Sequence, residues 1–274
     1  MHKVLSQSIA AELSEIRSAP DSDGSQAAGG PALSTTAKVL SVPLGADWIS
    51  ITPRNFVGCG VARVALTPRL TIVVTTNLLT TTGIHAQSPT DIAAFPTQVI
   101  SDEMQDGDAT DFALDSLPTI ANSGAIYVGA EKLFRGAAVD IGTDANGTAS
   151  TITCKYWNGS AWADISDTDG TILVATKSMS GDGNVTWTAP AAWTKTSLIA
   201  SADTAIREPW AMANLYWTRW EWSAALDSTD VRQIRALSRS TAYVELLEGQ
   251  PLECAVDTKK IACVEALTDA GTAN

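Results

Sequence analysis

Residues able to do chemistry are few in this chain and poorly placed to cooperate. Its two histidines, His2 and His85, lie far apart and away from every cysteine. That removes most acid/base and metal arrangements built on imidazole. The four cysteines, Cys59, Cys154, Cys254 and Cys263, contain no C-x-x-C pair, so they read as buried free thiols rather than as a zinc or thioredoxin-type site. Cys254 and Cys263 flank Asp257-Thr-Lys-Lys260. They are the candidate disulfide, across a hairpin or between subunits, formed after release from a reducing cytosol. Asp164, Asp167 and Asp169 are close enough in sequence to suggest a carboxylate pair for glycoside hydrolysis or, with Gly170, oxygen ligands for Ca²⁺. Asp106, Asp108 and Asp111 raise the same question. Neither run reproduces the calcium loop with its distal glutamate, and both read as solvated turns. The sequence has no G-x-S-x-G, no P-loop and no H-E-x-x-H. Catalytic residues, metal and cofactor are therefore all assigned as none. Arg207, Arg232, Arg235 and Arg239 are the notable basic residues. A spacing of three places Arg232 and Arg235 on opposite faces of a strand, as interface or solvent ion pairs.

Tryptophan is the one concentrated resource. Eight of nine fall between residues 157 and 222. Strand alternation over 214–224 puts Leu215, Trp217, Arg219, Glu221 and Ser223 on one face. Tyr216, Thr218, Trp220 and Trp222 fall on the other. Aromatic side chains thus project both ways, one face building a core and the other meeting a partner. Trp157, Trp162, Trp187 and Trp217 read as core, while Trp220, Trp222, Trp193 and Trp210 are the candidates for contact with another protein or with a glycan.

The elements that must position these residues are strands. From residue 38 the chain consists of short β-type runs broken by turn residues. Strands are expected at 38–42, 47–52, 59–66, 69–76, 125–129, 132–141, 148–157, 171–175, 183–188, 214–224 and 231–237. Asn146-Gly147 signals a hairpin, and 250–256 is expected to pair with 261–267. Ahead of the strands, Val4, Leu5, Ile9, Leu13 and Ile16 form an apolar stripe at helical spacing. The expected organisation is a helical arm over 1–19, a flexible linker over 20–37, a β region with long loops over 38–123, a tryptophan-rich sandwich over 124–240 and terminal strands over 241–274. The arm is a candidate assembly latch. Strands at this spacing without intervening helices imply an all-β, antiparallel sandwich.

The succession Ala125-Ile-Tyr-Val-Gly129, Tyr156-Trp-Asn-Gly-Ser-Ala-Trp162, Asp169-Gly-Thr171, Ser180-Gly-Asp-Gly183, Val185-Thr-Trp187, Pro190-Ala-Ala-Trp193 and Leu215-Tyr-Trp-Thr-Arg219 resembles a β-sandwich module of tailed-bacteriophage virion proteins. The resemblance spans about 124–237 and implies a discoidin-like, galactose-binding-type jelly roll. It also implies a structural role in the neck or collar, tail or capsid decoration, assembling with copies of itself and with portal, neck, tail or capsid proteins. The alternative is a carbohydrate-binding module that recognises host surface glycans through exposed tryptophans.

Composition narrows the partners. In 274 residues, 30 acidic against 18 basic side chains give a net charge of −12. The pI is near 4.5. A field of that sign opposes phosphate-mediated binding of nucleic acid. With 45% apolar residues and a mean hydropathy of +0.06, the chain is too apolar for disorder. It also lacks the run of about 18 apolar residues that a membrane helix needs. The start of the chain has no continuous apolar segment of the secretory kind. The expectation is synthesis in a host cytoplasm and residence in a virion.

Overall fold

The computed structural model describes residues 32–35, 37–41, 48–75, 97–101, 103–105, 111–114, 117–119, 121, 124–198, 213–237, 243–255 and 261–273. The helical arm, with Val4, Leu5, Ile9, Leu13 and Ile16, lies outside them, as does Trp210. In chain order the strands are β1 (Lys38–Ser41), β2 (Trp48–Ile51), β3 (Ala62–Pro68), β4 (Leu70–Thr75), β5 (Thr97–Val99), β6 (Phe112–Ala113), β7 (Ala125–Ala130), β8 (Gly136–Ile141) and β9 (Ile152–Trp157). They continue as β10 (Trp162–Asp164), β11 (Thr168–Asp169), β12 (Gly183–Thr186), β13 (Tyr216–Trp222), β14 (Asp230–Leu237), β15 (Val244–Leu246), β16 (Leu252–Ala255) and β17 (Ile261–Thr268). A short 3-10 turn, Glu103–Gln105, follows β5. The strands named here pair antiparallel, so the all-β, antiparallel expectation holds.

The chain divides into two units, one formed by 1–69, 106–108 and 237–274, the other by 70–105 and 109–236. This division differs from the one expected at 124 and 240. The reason is pairing: β4 runs beside β7 with Leu70 opposite Ala130 and Thr75 opposite Ala125, which draws it into the tryptophan-rich unit. The two ends of the chain build the smaller unit together.

In the smaller unit, a four-stranded sheet β1-β17-β3-β15 accompanies a two-stranded sheet β16-β2. Alternation turns Ala62 and Val64 of β3 and Val264 and Ala266 of β17 into a core with Ile49 of β2 and Leu246 of β15. Leu33 joins that core and exchanges backbone hydrogen bonds with Ala273, so the end of the expected linker is a structural strand contact. The terminal hairpin is not formed. β16 pairs with β2, placing Cys254 opposite Ile49, whereas Cys263 of β17 stands opposite Ser41 and Thr67. The two cysteines thus belong to different sheets, and Cys254 carries a free thiol.

In the larger unit, a six-stranded sheet β10-β9-β13-β7-β4-β5 and a five-stranded sheet β11-β12-β8-β14-β6 enclose one apolar core. Leu70, Ile72 and Val74, Ile126 and Val128, Ile152 and Cys154, and Trp220 and Trp222 contribute from the first sheet. Ala137, Val139 and Ile141, Val185, Ile234 and Phe112 contribute from the second. This is sandwich packing. Asn146-Gly147 does not form a hairpin, since neither residue has positive φ, and it leads instead from β8 in one sheet to β9 in the other. Asn146 is buried, and its amide donates to the carbonyls of Thr148 and Ser178 at 3.0 and 2.8 Å.

Candidate interaction surface

The tryptophans are absorbed by the larger unit itself. Trp193, Trp220 and Trp222, expected at a contact surface, are 5%, 0% and 2% exposed. Alternation explains the last two, because Trp220 and Trp222 occupy the face of β13 that looks into the sandwich. Trp193 sits among Phe134, Tyr156, Trp187 and Tyr216, with ring centroids 5.3 to 6.3 Å away. Its indole N–H donates to the Trp217 carbonyl at 3.1 Å, and that of Trp187 donates to the Phe134 carbonyl at 3.1 Å. Neither ring offers a free platform for a sugar.

The opposite face of β13 is covered as well. Trp217 packs with Val73, Ala125, Tyr127 and Leu198 in a second apolar cluster. Its ring lies over Gly129, where an added Cβ would come within 2.5 Å of it. Beside it Arg219, only 9% exposed, bonds Glu221 at 2.5 Å and lies 5.1 Å from the Trp162 ring centroid. Lys155 reaches the other Glu221 oxygen at 2.9 Å. Trp157 and Tyr127 meet the Trp162 ring edge-on at 5.6 and 5.8 Å. The half-buried Trp162 is thus enclosed by a cation and two rings.

The three aspartates shape a turn. Asp164 accepts the Ser166 N–H at 2.6 Å and Asp167 that of Cys154 at 2.7 Å. Burial, aided by neighbouring carboxylates, pushes the Asp167 carboxyl up. Asp169 accepts both the N–H and the hydroxyl of Thr171, at 2.8 and 2.6 Å. No three His, Cys, Asp or Glu side chains converge on a cation site among the described residues. Burial pushes the Cys154 thiol well up, which keeps it an unreactive core group.

A charged group lies on the outer side of the five-stranded sheet. Between the core residues Val139 and Ile141, Asp140 points the other way and is 6% exposed. Burial first, then the Asp182 carboxylate, raises its pKa to about 7, against the opposing pull of Arg232 and Arg235. Arg232 bridges Asp111 at 3.1 Å and Asp140 at 3.8 Å. Burial alone would push Asp111 up, but hydrogen bonds from Thr143 and the nearby Arg232 outweigh it and hold this carboxyl below its ordinary value. Both arginines act on one carboxyl, contrary to the expected opposite faces. The core contacts of Val231, Ile234 and Ala236 show alternation slipping by one residue within β14, which returns Arg235 to the side of Arg232.

Among the described residues, the large hydrophobic side chains left exposed are aliphatic. Residues 171–175, expected as a strand, instead form a projecting loop with Ile172 37%, Leu173 71% and Val174 52% exposed. Its neck is closed by the Ser180 N–H donating to the Thr171 carbonyl at 3.1 Å. Inside, the Ser180 hydroxyl oxygen accepts the N–H groups of Leu173 and Val174 at 2.9 and 3.0 Å and donates to the Thr171 carbonyl at 3.2 Å. The Thr171 hydroxyl oxygen accepts the Met179 N–H at 2.7 Å, and Lys177 N–H closes a turn on the Val174 carbonyl at 3.0 Å. Thr171, Ser178 and Met179 anchor the base, each at most 1% exposed. This is a compact loop packed by its own polar groups, presenting three consecutive aliphatic side chains on a braced backbone. Sequence reading missed it because a short apolar run between turns has no period to distinguish a buried strand from an exposed loop. The one available signal was the Asp169-Gly170 pair that starts the loop. The chain matches no family model, no curated protein and no solved structure.

Proposed function

We propose that this chain is a non-enzymatic, oligomeric structural component of a tailed-phage virion, stationed at the neck or collar of the head–tail region or decorating the tail or capsid. The observation that carries this reading is the braced loop with exposed Ile172, Leu173 and Val174. A contiguous exposed aliphatic patch of this kind, on a chain of net charge −12, is the sort of surface that binds protein. Its rigidity lowers the entropy lost on association. In this reading the sandwich contains the discoidin-like module whose motif order the sequence carries over about 124–237, and its partners are its own copies and neighbouring virion proteins. The net charge of −12 suits a shell component that must not adhere to packaged DNA. Glycan recognition draws no support from Trp193, Trp220 and Trp222, whose rings are buried.

The test is immunogold electron microscopy of particles purified from a culture that expresses the chain. Regular labelling of intact particles at one station supports the proposal. Label confined to the soluble fraction refutes it.

A further inference from the structure

Asn-Gly occurs twice in the chain, at Asn146-Gly147 and Asn158-Gly159. Such a pair can react with itself, because a glycine nitrogen with no Cβ beside it reaches the side-chain amide carbon of the preceding asparagine. The fold blocks that reaction at one pair and leaves it open at the other. Asn146 is buried, and its side-chain nitrogen, the leaving group, donates to the Thr148 and Ser178 carbonyls. The attacking nitrogen is committed too, since the Gly147 N–H donates to both Asp227 carboxylate oxygens at 2.9 and 3.0 Å. Asn158 heads the loop between β9 and β10, which its own N–H closes by donating to the Ala161 carbonyl at 3.1 Å. Gly159 and Ser160 are exposed. Among the described residues, neither the Asn158 side-chain nitrogen nor the Gly159 N–H has a hydrogen-bond partner. The Asn158 side-chain oxygen instead accepts three donors, the Ser160 N–H and hydroxyl, each at 3.0 Å, and the Ala161 N–H at 2.9 Å.

We propose that Asn158 is a self-modification site, converting in the folded protein to aspartate and isoaspartate while Asn146 persists. The Gly159 nitrogen, having given its proton to hydroxide, bonds to Asn158 Cγ. The Cγ–Nδ2 bond then breaks, and the departing nitrogen takes a proton from water to leave as ammonia, which restores the hydroxide. Water adds to either carbonyl carbon of the resulting five-membered imide, one opening giving aspartate and the other isoaspartate. The sum is amide plus water to carboxylate plus ammonium. During the attack negative charge develops on the Asn158 side-chain oxygen, where the Ser160 and Ala161 donors already sit. Hydrogen bonds to an ionised oxygen are roughly twice as strong as those to a neutral one, so these donors favour the transition state over the resting amide. At Asn146 the attack must wait for local opening of a buried network. The aspartyl product adds a negative charge and keeps an acceptor for Ser160 and Ala161. The isoaspartyl product lengthens the backbone by one carbon between Trp157 and Trp162, which stand opposite each other in register. The reaction needs no partner and is independent of the assembly reading.

Peptide mapping by mass spectrometry tests this on the full chain aged in warm, mildly alkaline buffer, with a sample unfolded in guanidinium chloride aged beside it. Trypsin separates the two sites, because cleavage after Arg135, Lys155 and Lys177 puts Asn146 in peptide 136–155 and Asn158 in peptide 156–177. Each peptide has a single asparagine and no glutamine, so a gain of about one dalton belongs to one residue. In the unfolded sample both peptides should convert at similar rates, which sets the timescale. In the folded chain 156–177 should convert on that timescale, into two products of equal mass that chromatography resolves. Peptide 136–155 should convert at least about tenfold more slowly, as the opening of its buried network requires. Asn158→Gln, whose longer side chain closes a six-membered ring far more slowly, should abolish the gain in 156–177 and leave 136–155 unchanged. A smaller ratio between the two peptides of the folded chain overturns the proposal. So does an Asn158 that stays intact in the folded chain while the unfolded sample converts, and so does a gain in 156–177 that survives Asn158→Gln.

Discussion

Asp140→Asn should stabilise the protein at alkaline pH and leave it nearly unchanged in acid. The aspartate is 6% exposed, and burial together with Asp182 lifts its pKa from 3.8 to about 7. The native state therefore keeps the Asp140 proton up to about pH 7, while the unfolded chain releases it near 3.8. Between these values the folded protein binds more protons, so stability from this group is fully present below 3.8 and is lost as pH rises through about 7. Above pH 8 the ionised group then costs on the order of 4 kcal/mol relative to the unfolded state. Asparagine stays neutral and keeps a donor for Asp182, but it forfeits the 3.8 Å contact with Arg232. Arg232 retains Asp111 at 3.1 Å, so the net gain at pH 8 should be about 2 to 3 kcal/mol. At roughly 2–4 °C per kcal/mol for a domain of this size, calorimetry should find the variant melting about 4 to 12 °C higher at pH 8 and within about 3 °C of the parent at pH 4. A variant-to-parent difference that does not change between these pH values would refute the assignment of the buried proton.

Gly129→Ala should lower stability by about 1 to 3 kcal/mol, measured by urea unfolding, because the new methyl would meet the Trp217 ring at 2.5 Å. Ser180→Ala removes the acceptor for the Leu173 and Val174 N–H groups. It should speed limited proteolysis within 171–180 severalfold while the global unfolding free energy changes by less than about 1 kcal/mol. Hydrogen bonds from Val61 and Gly60 hold the Asp269 carboxyl below its ordinary value. Its contribution is present above the unfolded pKa and is lost as pH falls through the folded one. Acid titration of Asp269→Asn should show that part of the stability loss removed.

The sheet architecture was legible because strand alternation reports directly on one-sided burial. Trp217, Arg219 and Glu221 do lie on one face of β13 and Trp220 and Trp222 on the other. What alternation could not reveal is how many layers cover a sheet. The expectation that one aromatic face must meet a partner failed because the outer face of β13 carries its own cover, the Trp217 cluster and the Arg219–Glu221 pair. Register between distant segments was equally hidden. The pairing of Leu33 with Ala273 and the separation of β16 from β17 depend on contacts across most of the chain, which no local spacing encodes. The slip within β14 changes the face of Arg235 without leaving a glycine or proline to mark it.

The inversion between aromatic and aliphatic residues bears on how such a protein would assemble. Tryptophans that each bury on the order of 200 Å² stabilise the fold from inside, where the N–H groups of Trp187 and Trp193 find backbone carbonyls and that of Trp220 the Thr218 hydroxyl. The outward patch consists of one leucine and two β-branched residues, with Ile172 and Val174 stiff at χ1 and the backbone beneath them hydrogen-bonded to Ser180. A single contact of that size is weak, worth little more than the burial of one or two side chains, about 2 to 4 kcal/mol. Weakness is an advantage where a contact is repeated many times, because each further contact forms intramolecularly and multiplies affinity without new surface. Wrong placements can then dissociate before they are trapped, while the complete assembly persists.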